Sequence, residues 1–433
     1  MCRVLVGRWS RLLAAPAVVL GAAAAVVCSP LMGSAAAATV PAAAKASAAV
    51  GPRYVQQCPE PYSAVRDPSN PLALPAAPGA DPLTGASFFV DGPRKGAAAG
   101  AIAQLLSINP PTLPVSESWA SFDRQLQPGG SLGAALAANP TLAGQVAELS
   151  KIASQPEAQR FSIYSEGGGP GAIFAQAEKI FCSNLTADPG TIPIINTYFL
   201  HPALGGCPTP RQVRAYAPVF HRRVNEMAAA TDLRPAVYLL ELDAIGSSAC
   251  IDKHHSLPGW EADLRYEINA MAALPHAVVY VEAGYSDGNS PGYTAKILNA
   301  IGISKIRGFF TNDTHLNWTI NEVRWATKIS RLTHGAHFVV NTADNGRGPL
   351  LNRNRVKNGN ENLCNPPGRG LGPMDTTATG FPYADAFLWT HPPGNSSGCG
   401  GGPPGGVFWA QRAEQLAANA NQQLGPGLPS RPY

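Results

Sequence analysis

The sequence predicts an α/β fold, a distorted (β/α) barrel of seven to eight mainly parallel strands. Three observations carry the prediction: eight short apolar runs, helical patterns placed between them, and polar residues where the runs stop. The runs, rich in β-branched and aromatic residues, fall at 87–90, 160–164, 192–199, 236–241, 277–282, 308–311, 337–340 and 386–389. Their length and composition suit strands buried on both faces. Between them, segments 211–230, 260–273, 295–301, 322–333 and 409–420 carry apolar residues at three- and four-residue spacing, the pattern of amphipathic helices. Strand and helix in regular alternation imply parallel pairing through right-handed crossovers. Seven or eight runs favour a barrel over an open sheet, and no internal sequence repeat is visible. In a barrel the working residues sit at the carboxyl ends of the strands. That rule selects Asp243, Glu282, Tyr285, Asn312, Asn341, Asp344 and His391.

The ends of the chain bound its location. Arg3, Arg8 and Arg11 precede an apolar run from Leu12 to about Met32 and a small-residue stretch to Ala38, the layout of a secretory signal over residues 1–38. An Ala- and Pro-rich lead-in follows over 39–82, and 83–433 is long enough for one barrel domain. The expected destination is extracellular, with cell-wall association open and no stable membrane insertion once the signal is cut. The exported part keeps Cys58, Cys182, Cys207, Cys250, Cys364 and Cys399, an even set that reads as three disulfides. No C-x-x-C spacing occurs and the histidines do not cluster beside the cysteines, so no metal is expected, and the chemistry read from the strand ends below needs no organic cofactor. A net charge of +4 with 14% charged residues leaves no basic stripe to follow a phosphate backbone, which argues against nucleic-acid binding.

Two strand ends carry chemistry. Val237-Tyr-Leu-Leu-Glu-Leu-Asp243 is an apolar strand that stops in two acids, and partial burial there raises a carboxyl's pKa and suits it to donate a proton. Asp243 is the candidate general acid; a turn cap or structural ion pair is the plainer alternative. The next strand ends in Glu282, and paired carboxylates on neighbouring strand ends are what glycoside hydrolysis uses. Gly284-Tyr-Ser286-Asp-Gly288 also fits the G-x-S-x-G nucleophile elbow of serine esterases, with Asp344 or Asp385 and His391 formally available as partners. Gly167-Gly-Gly-Pro-Gly171 lacks the ending of a phosphate loop, and His254-His255 reads as a solvated pair rather than a ligand set.

Several segments, in order from about Phe88 to Ala420, resemble the family 6 glycoside hydrolases, the cellulase family of endoglucanases and cellobiohydrolases. Leu240-Glu-Leu-Asp243 resembles the family's Glu-Pro-Asp strand end, whose Asp is the proton donor, with Leu242 in place of the proline. Tyr280-Val-Glu282-Ala-Gly-Tyr285-Ser286 is similar to its Asp-Ala-Gly-His-Ser segment, which accounts for the elbow pattern without a nucleophile. Gly308-Phe-Phe-Thr-Asn312 to Asn317-Trp318, Phe338-Val-Val-Asn341-Thr342 to Pro349, Cys364-Asn-Pro-Pro-Gly-Arg-Gly370 and Asp385-Ala-Phe-Leu-Trp389 track the family closely. The resemblance implies disulfides Cys207 with Cys250 and Cys364 with Cys399, leaving Cys58 and Cys182 as a third pair. It implies an inverting hydrolysis of a β-1,4-glucan or related polysaccharide by a monomer. Asp243 is then the acid, Glu282 tunes it or orders the water, and Tyr285, Asn312, His315, Trp318, Asn341, Asp344, His391, Asn395 and Ser397 bind substrate.

The departures fall in the machinery. His201-Pro-Ala-Leu-Gly-Gly206 lacks the Arg-Asp pair that supports the acid in the family. His391, Asn395 and Ser397 stand where it has a Lys, a Glu and the Asp often assigned as base, and Leu363 replaces a stacking Trp. Asn341 stands for the Asp of the Val-Ile-Asp-Thr strand, and Ala343-Asp344 for the Ser-Arg after it. Losing a base typically costs about 10²–10⁴-fold unless another group acts. The sequence therefore allows a cleft rebuilt for catalysis, with Glu282, Asp344 or a water chain as base, or a glycan-binding relative that has lost turnover.

Overall fold

A computed structural model describes residues 81–162, 169–232, 234–350 and 364–428. The leader, most of the lead-in, Cys58, Leu363 and part of the glycine-rich stretch before Gly171 lie outside the described residues. Seven strands form one sheet: β1 (Gln159–Ser162), β2 (Ile194–Tyr198), β3 (Ala236–Leu240), β4 (Ala277–Glu282), β5 (Gly308–Thr311), β6 (His337–Asn341) and β7 (Ala384–Leu388). They pair in chain order and all in parallel. The sheet curls into a distorted barrel. Across its open seam, Ala158 N, just before β1, donates to Trp389 O, just after β7, at 3.1 Å. The eighth predicted run, at 87–90, is not a strand of this sheet. It touches β2's leading edge through one isolated parallel bridge, Phe88 with Ile192, because the loop after it leaves at once for the helix Ala97–Leu105.

Both faces of the sheet are covered, which is why its strands read as near-continuous apolar runs. Val237, Leu239, Val278, Tyr280, Phe310, Val339, Ala386 and Leu388 fill the barrel interior. The alternate residues, among them Tyr238, Leu240, Val281, Phe309, Phe338 and Phe387, pack outward against the helices. Gly308 is dictated by this pairing: a Cβ there would run into the His337 carbonyl of β6.

The helix Pro210–Thr231 starts on a capping box, Thr209 with Gln212, with Pro210 in the first turn where its missing N–H costs nothing. Leu257–Ala272, Pro291–Ile301, Thr319–Leu332 and Ala410–Ala418 follow the predicted periodicity to within a few residues. The helices Ala97–Leu105, Trp119–Leu126, Pro140–Ala153 and Ala172–Ala187 are not among the periodic segments singled out above. Three of them join Ala410–Ala418 around a separate core of Ile102, Phe122, Leu149, Trp389 and Leu416, which depends on residues distant in sequence.

Two disulfides hold the loops above the strand ends: Cys207–Cys250 and Cys364–Cys399, with Cα atoms 5.4 and 5.9 Å apart. Cys182 is also disulfide-bonded. No helix among the described residues is long and apolar enough to cross a membrane.

Candidate active site

A cleft of about 840 Å³ opens over the carboxyl ends of the strands. Every strand supplies it: Arg160 and Ser162 from β1, His201 after β2, Asp243 after β3, Tyr285 after β4, Asp313 to Leu316 after β5, Asp344 after β6 and His391 to Ser397 after β7. The predicted residues Asp243, Tyr285, His315, Asp344, His391, Asn395 and Ser397 therefore share one cleft.

Asp243 stands on a tight bend. Glu241 and Asp243 both have left-handed backbone, φ +52° and +59°, a conformation that non-glycine residues adopt at a cost and that clusters at functional sites. The bend is held from below. The Glu241 carboxylate accepts from Phe199 N and Leu200 N, and Glu241 N donates to Thr197 Oγ1 at 2.9 Å. Burial raises the Asp243 pKa, opposed by His201, by the Thr314 hydroxyl that donates to its Oδ1 at 2.9 Å, and by His315, while the Asp313 charge adds to the rise.

Glu282 does not line the cleft. It lies buried beneath the loop that carries Asp243 and accepts from Ile245 N at 2.7 Å and Gly246 N at 3.1 Å. Burial, then the Asp243 charge, pushes it up to about 8, so it is an acid rather than an anion at neutral pH. Its folded pKa lies above its unfolded one, so its contribution to stability is complete below the unfolded value and is lost as pH rises through about 8. Glu282 by itself is expected to lower the Tm by roughly 3–6 °C from about pH 5 to about pH 9. Glu282→Gln, which resembles the protonated acid, should flatten that slope in a calorimetric series.

Asn312 and Asn341 also stay below the cleft. Asn312 Nδ2 donates to the carbonyls of Asn317 and Asn341, while Asn341 Oδ1 accepts from Ala343 N and Thr390 N. These fully buried amides tie the loops after β5, β6 and β7 together. Trp318 turns instead to a second cleft of about 650 Å³, shared with Ser286, Asp287, Trp325 and Arg324, and leans over Gly348, where a Cβ would strike its indole. The Tyr285 ring stacks on His315. His315, brought down to about 4 by burial against the pull of Asp243 and Glu322, is neutral and donates from Nδ1 to Asp287 at 2.9 Å.

The esterase alternative fails on placement. Ser286 faces the second cleft, whereas His391 faces the main one. Asp385 is the second residue of β7, at the opposite end of the barrel, held by Arg307, His337 and Tyr280.

A chain of charges that the sequence did not reveal crosses the cleft. Arg160 Nη2 reaches Asp313 Oδ2 at 3.1 Å, Asp313 Oδ1 lies 3.8 Å from His391 Nδ1, and His391 Nε2 lies 3.7 Å from Asp344 Oδ1. Burial alone would lower the His391 pKa, but Asp344 and Asp313 on its two sides push it up to about 9. Burial would raise Asp313; Arg160, His391 and the Thr390 hydroxyl outweigh it and hold the carboxyl below its usual range. Extending the strand-end rule by one residue past Asn312 would have reached Asp313. Arg160, near the start of β1, gave no such signal.

Comparison with known proteins places this arrangement. The pattern of the family Glycosyl hydrolases family 6 matches residues 204–420, half of the chain. Endoglucanase A of Thermobispora bispora is 30% identical over 295 residues, covering 66% of this chain and 59% of that protein. Endoglucanase 1 of a Streptomyces species is 32% identical over 276 residues, covering 62% of this chain and 70% of that protein. The chain thus spans about 59% of the Thermobispora protein's length. An endoglucanase of Mycobacterium tuberculosis, solved with a thio-linked cellobioside, superposes with TM-score 0.58 at 27% identity, over 78% of this chain and 99% of that one. The Humicola insolens endoglucanase, 17% identical with TM-score 0.57, covers 80% of this chain and 100% of its own and shares the fold. Seven parallel strands curled into a distorted barrel, an acid-tipped third strand over a cleft and a family pattern across half the sequence lead to one conclusion: the chain belongs to glycosyl hydrolase family 6.

Proposed function

We propose that the protein is a secreted glycoside hydrolase that cleaves a β-1,4-linked glucan or a related polysaccharide with inversion, using Asp243 as general acid. The observation that carries this reading is Asp243 itself: a carboxyl on the wall of the cleft, on a strained bend, with its pKa raised by burial. A raised pKa favours the protonated form, which can hand a proton to the leaving oxygen as it departs. Glu282 acts through the loop, fixing Ile245 and Gly246 and, because it is protonated, adding no negative charge beneath the acid. The relatives carry endoglucanase names, which supports a glucan as substrate. The leader-like first 38 residues support export.

Reducing-end release by the mature protein is the test, across cellulose, mixed-linkage glucan and bacterial cell-wall glycans. Release from one class names the substrate. Binding to a glycan without release from any would replace this reading with that of a sugar-binding relative, consistent with Asn395 and Ser397 standing where the family has carboxylates.

A further inference from the structure

Resting on the hydrolase reading, we infer that Asp344 is the catalytic base of this cleft, with His391 as the residue that positions it. Three carboxylates line the cleft among the described residues: Asp243, Asp313 and Asp344. Asp243 serves as the acid. Asp313 has no room for a water: its side chain is 1% exposed, Oδ2 is held by Arg160, and Oδ1 meets the Thr390 hydroxyl and His391. Asp344 differs on each count. Its side chain is 16% exposed to the cleft, and its Oδ1 accepts no hydrogen bond from any described residue, meeting only the His391 ring at 3.7 Å. A buried carboxylate oxygen without a donor is costly unless a bound water or substrate hydroxyl completes it. Glu282, buried and committed to two backbone amides, cannot reach the cleft.

Positive charge surrounds Asp344. His391 is charged between its two carboxylates, the charges of Arg369 and Arg412 also act on Asp344, and Glu157 interacts electrostatically with His391. The sequence substitutions agree with a rearranged set of charges. The family's Arg is Asp344 here, its Lys is His391, and its usual base is Ser397. The carboxylate lost after β7 is thus matched by one gained after β6, beside His391.

In the hydrolytic step a water oxygen forms a bond to the anomeric carbon while Asp344 takes one of its protons. The glycosidic C–O bond breaks, its electron pair goes to the leaving oxygen, and that oxygen receives the Asp243 proton. Asp344 ends protonated and Asp243 ionised, and one proton passing through solvent resets both. The net change is water added across the bond, with inversion.

The test is Asp344→Asn, with its melting curve and glucan affinity as controls of folding, assayed on a soluble glucan with and without azide. Expected are a loss in kcat of about 10²–10⁴-fold, KM within about threefold, and recovery by azide, an anionic nucleophile that needs no base, with a glycosyl azide as product. His391→Gln should lose less, with the loss confined to kcat and KM within about threefold, because Asp344 then lacks the ring that positions it. Wild-type-like turnover in Asp344→Asn, or a loss that azide does not recover in a protein that melts and binds normally, would overturn the assignment. Absence of turnover in the wild type would instead remove the hydrolase reading itself, so the two failures are distinct.

Discussion

Asp243→Asn is expected to lower kcat on glucan by about 10²–10⁴-fold while leaving substrate affinity nearly unchanged. Asn keeps the shape of the side chain and can still accept from the Thr314 hydroxyl through its amide oxygen, so the bend and the loop that Glu282 clamps should survive. What is lost is the proton. The defect should therefore depend on the leaving group: a nitrophenyl glycoside, whose phenolate departs without protonation, should retain far more of its rate than a glucan. The pH profile gives a second readout. The acid must be protonated to act, so wild-type kcat should fall as pH rises through the raised pKa of Asp243, and the mutant should lack that limb. Equal losses on both kinds of leaving group would remove Asp243 from the role of acid.

Arg307→Ala is expected to cost about 3–5 kcal/mol of stability, the largest effect on folding among these changes, with little effect on KM. Arg307 sits just before β5, at the end of the barrel away from the cleft, and grips Asp385 with two bonds, Nε to Oδ2 at 2.7 Å and Nη2 to Oδ1 at 2.8 Å. The Tyr280 hydroxyl and His337 Nδ1 bind the same carboxylate, each at 2.7 Å. Burial would raise the Asp385 pKa, but these donors, the Arg307 guanidinium first, hold it below the ordinary range. Removing the arginine leaves an anion that is 2% exposed, with the Asp81 charge nearby and only a phenol and a histidine still bound to it. The cluster joins β4, the start of β5, β6 and β7, so its loss should loosen the sheet as a unit. Guanidinium titration of Arg307→Ala beside Arg307→Ala/Asp385→Leu checks the cause. The double variant should recover part of the loss, since it removes the uncompensated charge along with its partner.

Much of this molecule is local information. Seven of the eight runs became strands because both faces of a parallel sheet are buried, and a continuous β-branched or aromatic stretch has few other stable uses. The run at 87–90 had the same composition and failed, since pairing needs a neighbouring edge and only Ile192 meets it. The position of Asp243 was equally legible, because the end of an apolar strand fixes where the next polar side chain lies along the barrel axis.

The sequence by itself therefore determined the barrel, the family and the acidic residue at the tip of β3. Only the tertiary structure decided which strand-end residues face the cleft. Glu282, Asn312 and Asn341 satisfy buried backbone groups instead, while Asp243 and Asp344 remain open to it. It also decided that Arg160, Asp313, His391 and Asp344, from four different strands and their loops, form one line of alternating charge. The physical reason is range. Hydrophobic period is set by neighbours three or four residues away, whereas the direction of a polar side chain past a strand end, and the charge it meets there, depend on loops that come together only when the barrel curls.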